Sequence, residues 1–155
     1  MSEPQPQAIF NIEKIYLKDL SLEIPHAPEV FLAAEQPQVE VQLHNESAAV
    51  ADGLYQVVLT VTVTARAGEK NLFLVEVAQA GIFQIRNVPE SDFEPLLATA
   101  CPNILFPYVR ETVSDVVMRA GFPPVYLAPV NFDSIYLQRL QQAQEQAAPK
   151  IEIAH

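Results

Sequence analysis

The chain has 155 residues, half of them hydrophobic, and 19 acidic against 9 basic side chains give it a formal net charge of −10. This length suits a single domain with its own core, the acidic balance argues against nucleic acid as a partner, and no apolar run approaches the roughly 20 residues of a membrane span. The lone cysteine cannot form an internal disulfide and the N-terminus lacks a signal-peptide layout, so we expect a cytoplasmic protein without direct membrane insertion.

The composition along the chain indicates one folded unit with two polar ends. Residues 1–8 are polar and contain prolines, which predicts a disordered N-terminal tail. Residues 9–143 are predicted to form a single domain. Residues 144–155 are rich in glutamine and alanine and are expected to be a flexible C-terminal tail.

Apolar and polar residues alternate in four segments, which predicts four β-strands. They run from Tyr16 to Ile24, over 39–44, from Leu54 to Arg66 and from Asn71 to Ile85. The polar stretch 45–53 is expected to be a connection, whereas the short link 67–70 favours an antiparallel hairpin. The pattern therefore predicts an antiparallel sheet with one solvated face, and that face is acidic because it carries Asp19, Glu23, Glu40 and Glu76.

Helical patterns follow the strands and complete an α+β fold. A short helix is expected over 92–100, a long one from Asn103, as its N-cap, to Ala120, and a last one capped by Asn131 or Asp133 that ends before Pro149. Gly121 suits the left-handed position that ends many helices. The long helix has apolar residues on more than one stripe, which fits either an oligomer interface or a helix buried within one domain.

The sequence offers little for catalysis or metal binding. Cys101 has Ala100, Pro102 and Ile104 around it, with no base or positive charge to activate the thiol, so we interpret it as a packed side chain. The three histidines have no spacing that would gather metal ligands. We therefore predict no catalytic residue, no metal site and no cofactor.

Aromatic residues in two proline-framed segments are a candidate binding surface. Phe31 lies in the first segment, and Phe122, Tyr126 and Phe132 lie in the second. Aromatic side chains held by prolines in extended loops are able to line a groove. Filling gaps between the sheet and the helices is an equally good interpretation of the same pattern.

Four separated blocks of sequence, in this order and spacing, are typical of one protein family. They are Lys14 to Glu23 (KIYLKDLSLE), FLVEV at 73–77 with GIF at 81–83, CPNILFPY at 101–108 with Arg110-Glu111, and GFPP at 121–124 with LAPVNFD at 127–133. In these blocks, and over nearly its whole length, the chain resembles the SecB family of protein-export chaperones.

The resemblance implies a four-stranded antiparallel sheet with two main helices packed on one side, assembled as a homotetramer that is a dimer of dimers. It implies that the long helix lies at the interface between dimers, through Leu105, Val109, Val113, Val116 and Val117. It also implies an ATP-independent cytoplasmic chaperone that holds unfolded secretory preproteins and delivers them to the SecA motor of the Sec translocase.

Site residues follow from the same resemblance. The SecA-binding positions are Asp19, Glu23, Leu74 and Glu76, and the client groove is expected at Phe31, Tyr126 and Phe132. The chain departs from the family at Glu35, where relatives often have a tryptophan. The alternative functions are an α+β domain that binds a small apolar ligand and an enzyme with Cys101 as its nucleophile.

Overall fold

The computed structural model describes residues 6–33 and 35–147 and has one sheet with helices on one side of it. The sheet has four antiparallel strands in the order β1-β4-β3-β2. This confirms the predicted α+β class and the antiparallel sheet. The elements in chain order are β1 (Ile9–Glu23), a 3₁₀ turn (Glu29–Leu32), β2 (Gln38–Ala51), β3 (Leu54–Ala67), β4 (Lys70–Arg86), α1 (Glu90–Pro95), a π-helical turn (Leu96–Ala100), α2 (Cys101–Arg119) and α3 (Phe132–Ala147).

The strand order explains how the chain reaches both edges of the sheet. β2, β3 and β4 follow one another through two tight hairpins, whose Gly53 and Gly68 have φ of 69° and 63°, values that favour glycine. β1 and β2 are the opposite edges, so residues 24–37 must cross from one edge of the sheet to the other. This crossing segment carries the 3₁₀ turn and Phe31.

The core lies between the two central strands and α2. Side chains that alternate along β3 and β4 are buried against this helix, among them Leu59, Val61 and Val75. Gly81 of β4 leaves room for the ring of Phe83 and for the helix, because a Cβ placed there would lie 2.8 Å from Cε2 of Phe83 and 3.2 Å from Cδ2 of Leu105. The alternation that the sequence predicted for these two strands is therefore confirmed.

Three element boundaries were predicted wrongly. β1 begins at Ile9 and not at Tyr16, because its pairing with the long strand β4 continues as far as Arg86. β2 continues through 45–51, which we expected to be a connection, because pairing with the long strand β3 extends it to the tight turn at Asp52 and Gly53. Asn103 is not a helix cap. The backbone is helical before it, since Ala100 and Cys101 already have α-helical angles and the π-helical turn Leu96–Ala100 leads directly into α2.

The ends of the chain fit the predicted domain only in part. Residues 1–5 and 148–155 lie outside the described residues, as does most of each predicted tail. The carbonyl oxygen of Gln7 accepts a hydrogen bond from Asn87, and α3 extends to Ala147, beyond the predicted domain end at 143. Asn131 caps this helix, since its Oδ1 accepts a hydrogen bond from the backbone N–H of Ser134 at 3.0 Å.

Candidate functional site

An apolar pocket of about 400 Å³ lies where the crossing segment meets the end of α2. Four stretches of the chain form it: the 3₁₀ turn with the residues after it, the start of β2, the start of β4, and the residues that follow α2. We call it the aromatic pocket. It is lined by Val30, Phe31, Ala33, Glu35, Pro37, Val39, Leu72, Phe73, Phe122, Pro123, Pro124 and Val125.

The end of α2 directs Phe122 into this pocket. The N–H of Gly121 donates to the carbonyl of Met118 at 3.0 Å, and the N–H of Phe122 donates to the carbonyl of Val117 at 3.2 Å. These two bonds are those of a Schellman motif, which requires the left-handed conformation that Gly121 adopts with φ of 92°. The predicted helix stop at Gly121 is confirmed, and the prolines that follow hold the chain extended.

Three aromatic rings meet around that glycine. Phe122 lies between Phe31 and Phe73, with ring centroids 5.2 Å and 4.9 Å away. Phe31 packs directly over Gly121, because a Cβ on this glycine would stand 3.0 Å from Cε1 of Phe31. Gly121 thus provides both the helix end and the space for the ring. Phe73 is buried and forms the floor, whereas Phe31 is 48% exposed and forms the rim.

Only one of the three residues predicted to form a client groove lines this pocket. Phe31 does, but Tyr126 is 76% exposed and lies outside it. Phe132 is only 6% exposed and packs edge-on against Phe106, with ring centroids 6.0 Å apart, so it is a core residue and does not line the aromatic pocket. Phe73 and Phe122 take its place, and the Gly-Phe-Pro-Pro block was the sequence signal that marked Phe122.

A larger cavity, about 530 Å³, lies at the N-terminus of α3, but its lining is mixed. It combines Thr99, Asn103, Asn131 and Asp133 with Pro129, Val130 and the edge of Phe132. Apolar ligands are held by apolar and aromatic walls, and the aromatic pocket has far more of both. We therefore take the smaller, aromatic pocket as the candidate site.

The outer face of the sheet brings together the four residues predicted to bind SecA. In the β1–β4 pairing Glu23 lies opposite Leu74, Ser21 opposite Glu76 and Asp19 opposite Ala78. Asp19, Glu23 and Glu76 are exposed, and Leu74 lies half-buried among them. Cross-strand neighbours on one face have Cβ atoms about 5 Å apart, so these side chains form one acidic patch around an apolar centre.

The five residues predicted to form the tetramer interface lie on the face of α2 that packs on the sheet, and not on its solvent-exposed face. Leu105, Val109, Val113, Val116 and Val117 are all buried in the core of the single chain. They pack on the protein's own sheet, so their side chains have no surface left for a second copy. The large apolar residues that α2 does expose are Tyr108 and Met118.

A second apolar surface is left uncovered along the edge strand β1. Leu17, Leu20 and Leu22 pair with Gln79, Val77 and Val75 and so face the helix side of the sheet. All three remain substantially exposed, because α2 packs on β3 and β4. Exposed leucines in a row on one strand mark a surface that another polypeptide is able to cover.

Cys101 has the environment of a core side chain. It is fully buried, and burial raises the pKa of its thiol from 9.0 to about 12, which leaves almost none of it as thiolate at neutral pH. Within the described ranges, no three His, Cys, Asp or Glu side chains are grouped so as to hold a metal ion. None of the helices described is both long and apolar enough to span a membrane.

The fold and the aromatic pocket define an α+β binding protein whose apolar site is open to solvent. The profile of the family described as "Preprotein translocase subunit SecB" matches residues 3–143. The chain is 63% identical over 151 residues to the protein-export protein SecB of Dechloromonas aromatica, covering 97% of both chains. It is 62% identical over 146 residues to the protein of that name from Chromobacterium violaceum, covering 93% of this chain and 97% of the relative.

The chain therefore belongs to the SecB family of protein-export chaperones, which confirms the resemblance found in its sequence. A solved structure of the SecB-like chaperone Rv1957 of Mycobacterium tuberculosis, in complex with a peptide from the antitoxin HigA1, has the same fold. The TM-score is 0.66 at 19% sequence identity, over 79% of this chain and 91% of that one.

Proposed function

We propose that this protein is an ATP-independent chaperone that captures unfolded secretory preproteins in the cytoplasm and delivers them to SecA. The observation that carries the proposal is the open aromatic pocket with Phe31 at its rim and Phe73 at its floor, on a chain whose relatives are protein-export proteins. The proposal requires no cofactor and no catalytic residue.

The pocket suits unfolded chains because of what folded proteins conceal. Its walls are aromatic and aliphatic, so a large apolar side chain entering it leaves water, which is worth roughly 1.5 to 3 kcal/mol. Folded proteins keep such side chains in their cores. Selectivity for non-native chains then needs no recognition of a particular sequence.

One pocket per protomer is too weak to hold a client, which is why we propose a homotetramer. A micromolar dissociation constant requires about 8 kcal/mol of binding free energy, whereas one apolar side chain supplies only roughly 1.5 to 3 kcal/mol. Several pockets on one assembly engage a long client at high effective concentration. The exposed apolar residues of α2, Tyr108 and Met118, and the uncovered leucines of β1 are the surfaces we propose to be buried between copies.

SecA is proposed to dock on the acidic patch of the outer sheet face. Asp19, Glu23 and Glu76 supply the charge and Leu74 an apolar centre. This face lies opposite the helix side of the sheet, so client and motor need not compete for one surface. Contacts between exposed charges weaken as salt screens them, and the affinity for SecA should fall with ionic strength.

The first experiment is titration calorimetry of the protein with an exported precursor, kept unfolded in one titration and folded in the other. We expect tight binding of the unfolded form alone. Binding of neither form, together with saturable binding of a small apolar compound, would favour the small-ligand alternative and reject the chaperone function.

A pair of variants locates client binding. Phe31→Ala should weaken binding of an unfolded precursor several-fold, since an aromatic contact is worth about 0.5 to 1.5 kcal/mol. Leu32→Ala is the matched control, because Leu32 is the next residue, is 87% exposed and does not line the pocket. Equal effects of both substitutions would place client binding elsewhere.

A second pair separates docking on SecA from client capture. Asp19→Ala combined with Glu76→Ala should reduce binding to SecA and leave client binding intact. Glu90→Ala combined with Glu145→Ala removes the same charge from exposed helical positions and should leave SecA binding unchanged. If the first pair lowers client capture as much as SecA binding, the division between the two faces is incorrect.

A further inference from the structure

Another cavity, about 460 Å³ in volume, lies along α3, and we call it the α3 groove. Its apolar walls are Tyr136, Leu140 and Ala143 of α3 and, from outside the helix, Phe93 and Leu97. All residues of α3 are described, and Phe132 alone among them is buried. The helix therefore touches the rest of the protein mainly at its first residue, and the groove beside it stays open.

Two polar groups of the α3 groove lack a partner among the described residues. Nδ2 of Asn45 donates a hydrogen bond to the carbonyl oxygen of Leu97 at 3.2 Å, but Oδ1 of the same side chain is buried and accepts none. Arg139 also lines the groove and forms no salt bridge with a described residue. A buried acceptor without a donor is unfavourable. The groove therefore suits a ligand that combines a backbone N–H, a carboxylate and apolar side chains.

The residues that follow α3 in the sequence supply this combination. After Pro149 the chain reads Lys150, Ile151, Glu152 and Ile153. In an extended segment alternate side chains face the same way, so the two isoleucines share one face and Glu152 lies on the other. Each of these residues also carries a backbone N–H.

The dimensions allow this segment to reach the groove. From Ala147 back to Arg139, α3 extends about 12 Å at 1.5 Å per residue. Residues 148–149 are enough for the two central positions of a turn. Residues 150–153, if extended, then cover about 13 Å at roughly 3.3 Å per residue. The segment thus matches the stretch of α3 that lines the groove.

We propose that residues 150–153 fold back along α3 of the same chain and occupy the α3 groove. The two isoleucines cover its apolar walls, Glu152 lies beside Arg139, and a backbone N–H donates to Oδ1 of Asn45. The short tether gives the segment an effective concentration on the order of millimolar, so weak contacts suffice. The docked segment competes with unfolded chains for these walls. This competition rests on the proposed function, whereas the docking does not.

A single tryptophan reports on the docking, because the chain has none of its own. Ile153→Trp places it on the face that enters the groove, and Ala154→Trp, the matched control, places it on the opposite face. Fluorescence emission and quenching by acrylamide are compared in the otherwise unchanged chain. We expect Ile153→Trp to emit at shorter wavelength and to be quenched less than Ala154→Trp. Equal emission and quenching of the two would overturn the inference.

An exchange of charges tests the neighbour assigned to Glu152. In the Ile153→Trp protein, Arg139→Glu alone or Glu152→Lys alone should lower the docking equilibrium constant about two- to fivefold, the range of exposed ion pairs. The two together should restore it. No recovery would contradict the pairing with Arg139. Recovery in a mixture of the two single variants would place the segment on another copy and overturn the intrachain arrangement.

Competition with clients is measured by titration calorimetry with an unfolded precursor. Ile151→Ser combined with Ile153→Ser should bind the precursor more tightly than the wild type, whereas Ala148→Ser combined with Ala154→Ser, the matched control, should not. Equal affinities would overturn the competition and leave the docking standing. Failure of all three proteins to bind the precursor would instead reject the proposed function, which the tryptophan measurements do not depend on.

Discussion

Val113→Asp tests on which side of α2 the core lies. Val113 is fully buried in the cluster between the helix and the sheet. Introduced there, an isolated carboxyl group avoids the cost of desolvation by keeping its proton. At pH 7, keeping the proton on a carboxyl group whose pKa in water is about 3.9 costs about 4 kcal/mol. The lost burial of the valine side chain adds roughly 1.5 to 3 kcal/mol.

The sum, about 6 kcal/mol, is comparable to the total stability of many domains, which is roughly 5 to 15 kcal/mol. We therefore expect Val113→Asp to unfold the protomer rather than separate intact dimers. With a urea dependence of about 2 kcal/mol/M, the unfolding midpoint should fall by about 3 M. Circular dichroism in urea, at one fixed protomer concentration, measures this shift.

The loss of unfolding free energy caused by Val113→Asp should also depend on pH. At neutral pH the unfolded chain releases the proton that the folded chain must hold, so the variant's stability relative to wild type falls as pH rises. Going from pH 7 down to about 4, the difference should shrink by about 1.4 kcal/mol per pH unit. A cavity alone would give a difference independent of pH.

Met118→Asp is the control on the same helix. Met118 is 52% exposed, so the substitution should leave the protomer folded, apart from about 0.3 to 1 kcal/mol for an acid near a helix C-terminus. If the free face of α2 joins copies, light scattering should show a smaller assembly. A stable Val113→Asp protein with a wild-type urea midpoint and a reduced mass would refute the assignment of Val113 to the core.

Three further outcomes follow from the same geometry. Gly121→Ala should lower the free energy of unfolding by at least about 1 to 2 kcal/mol, because the left-handed backbone disfavours a Cβ and that Cβ meets Phe31; it should weaken client binding as well, and wild-type values in urea unfolding and calorimetry would contradict this. Cys101 should react with iodoacetamide only after denaturation, since its buried thiol has a pKa of about 12; rapid labelling of the native protein, measured by mass spectrometry, would show that the helix start opens. Phe132→Ala should lower the free energy of unfolding by about 3 to 5 kcal/mol, because it truncates a core side chain. Tyr126→Ala, at a 76% exposed position, is the control; equal stability of the two variants in urea would contradict the assignment of Phe132 to the core.

Local rules allowed several features to be predicted from the sequence alone. The alternation of β3 and β4 survives in the structure because one face of each strand is buried under α2. Gly121 acts as the predicted helix stop and Asn131, one of the two predicted candidates, as the helix cap, because each satisfies backbone groups within a few residues. The family blocks, finally, identified the chain before any contact was known.

What the sequence left undetermined depends on contacts between distant segments. Residues 45–51 carry no alternation, and they form a strand because β3 pairs with them. Phe132 and Phe122 stand in similar proline-framed surroundings, yet Phe132 enters the core beside Phe106 while Phe122 turns towards Phe31 and Phe73. The pocket unites residues near positions 31, 73 and 122, and only the strand order, which carries the chain from one sheet edge to the other, brings them together.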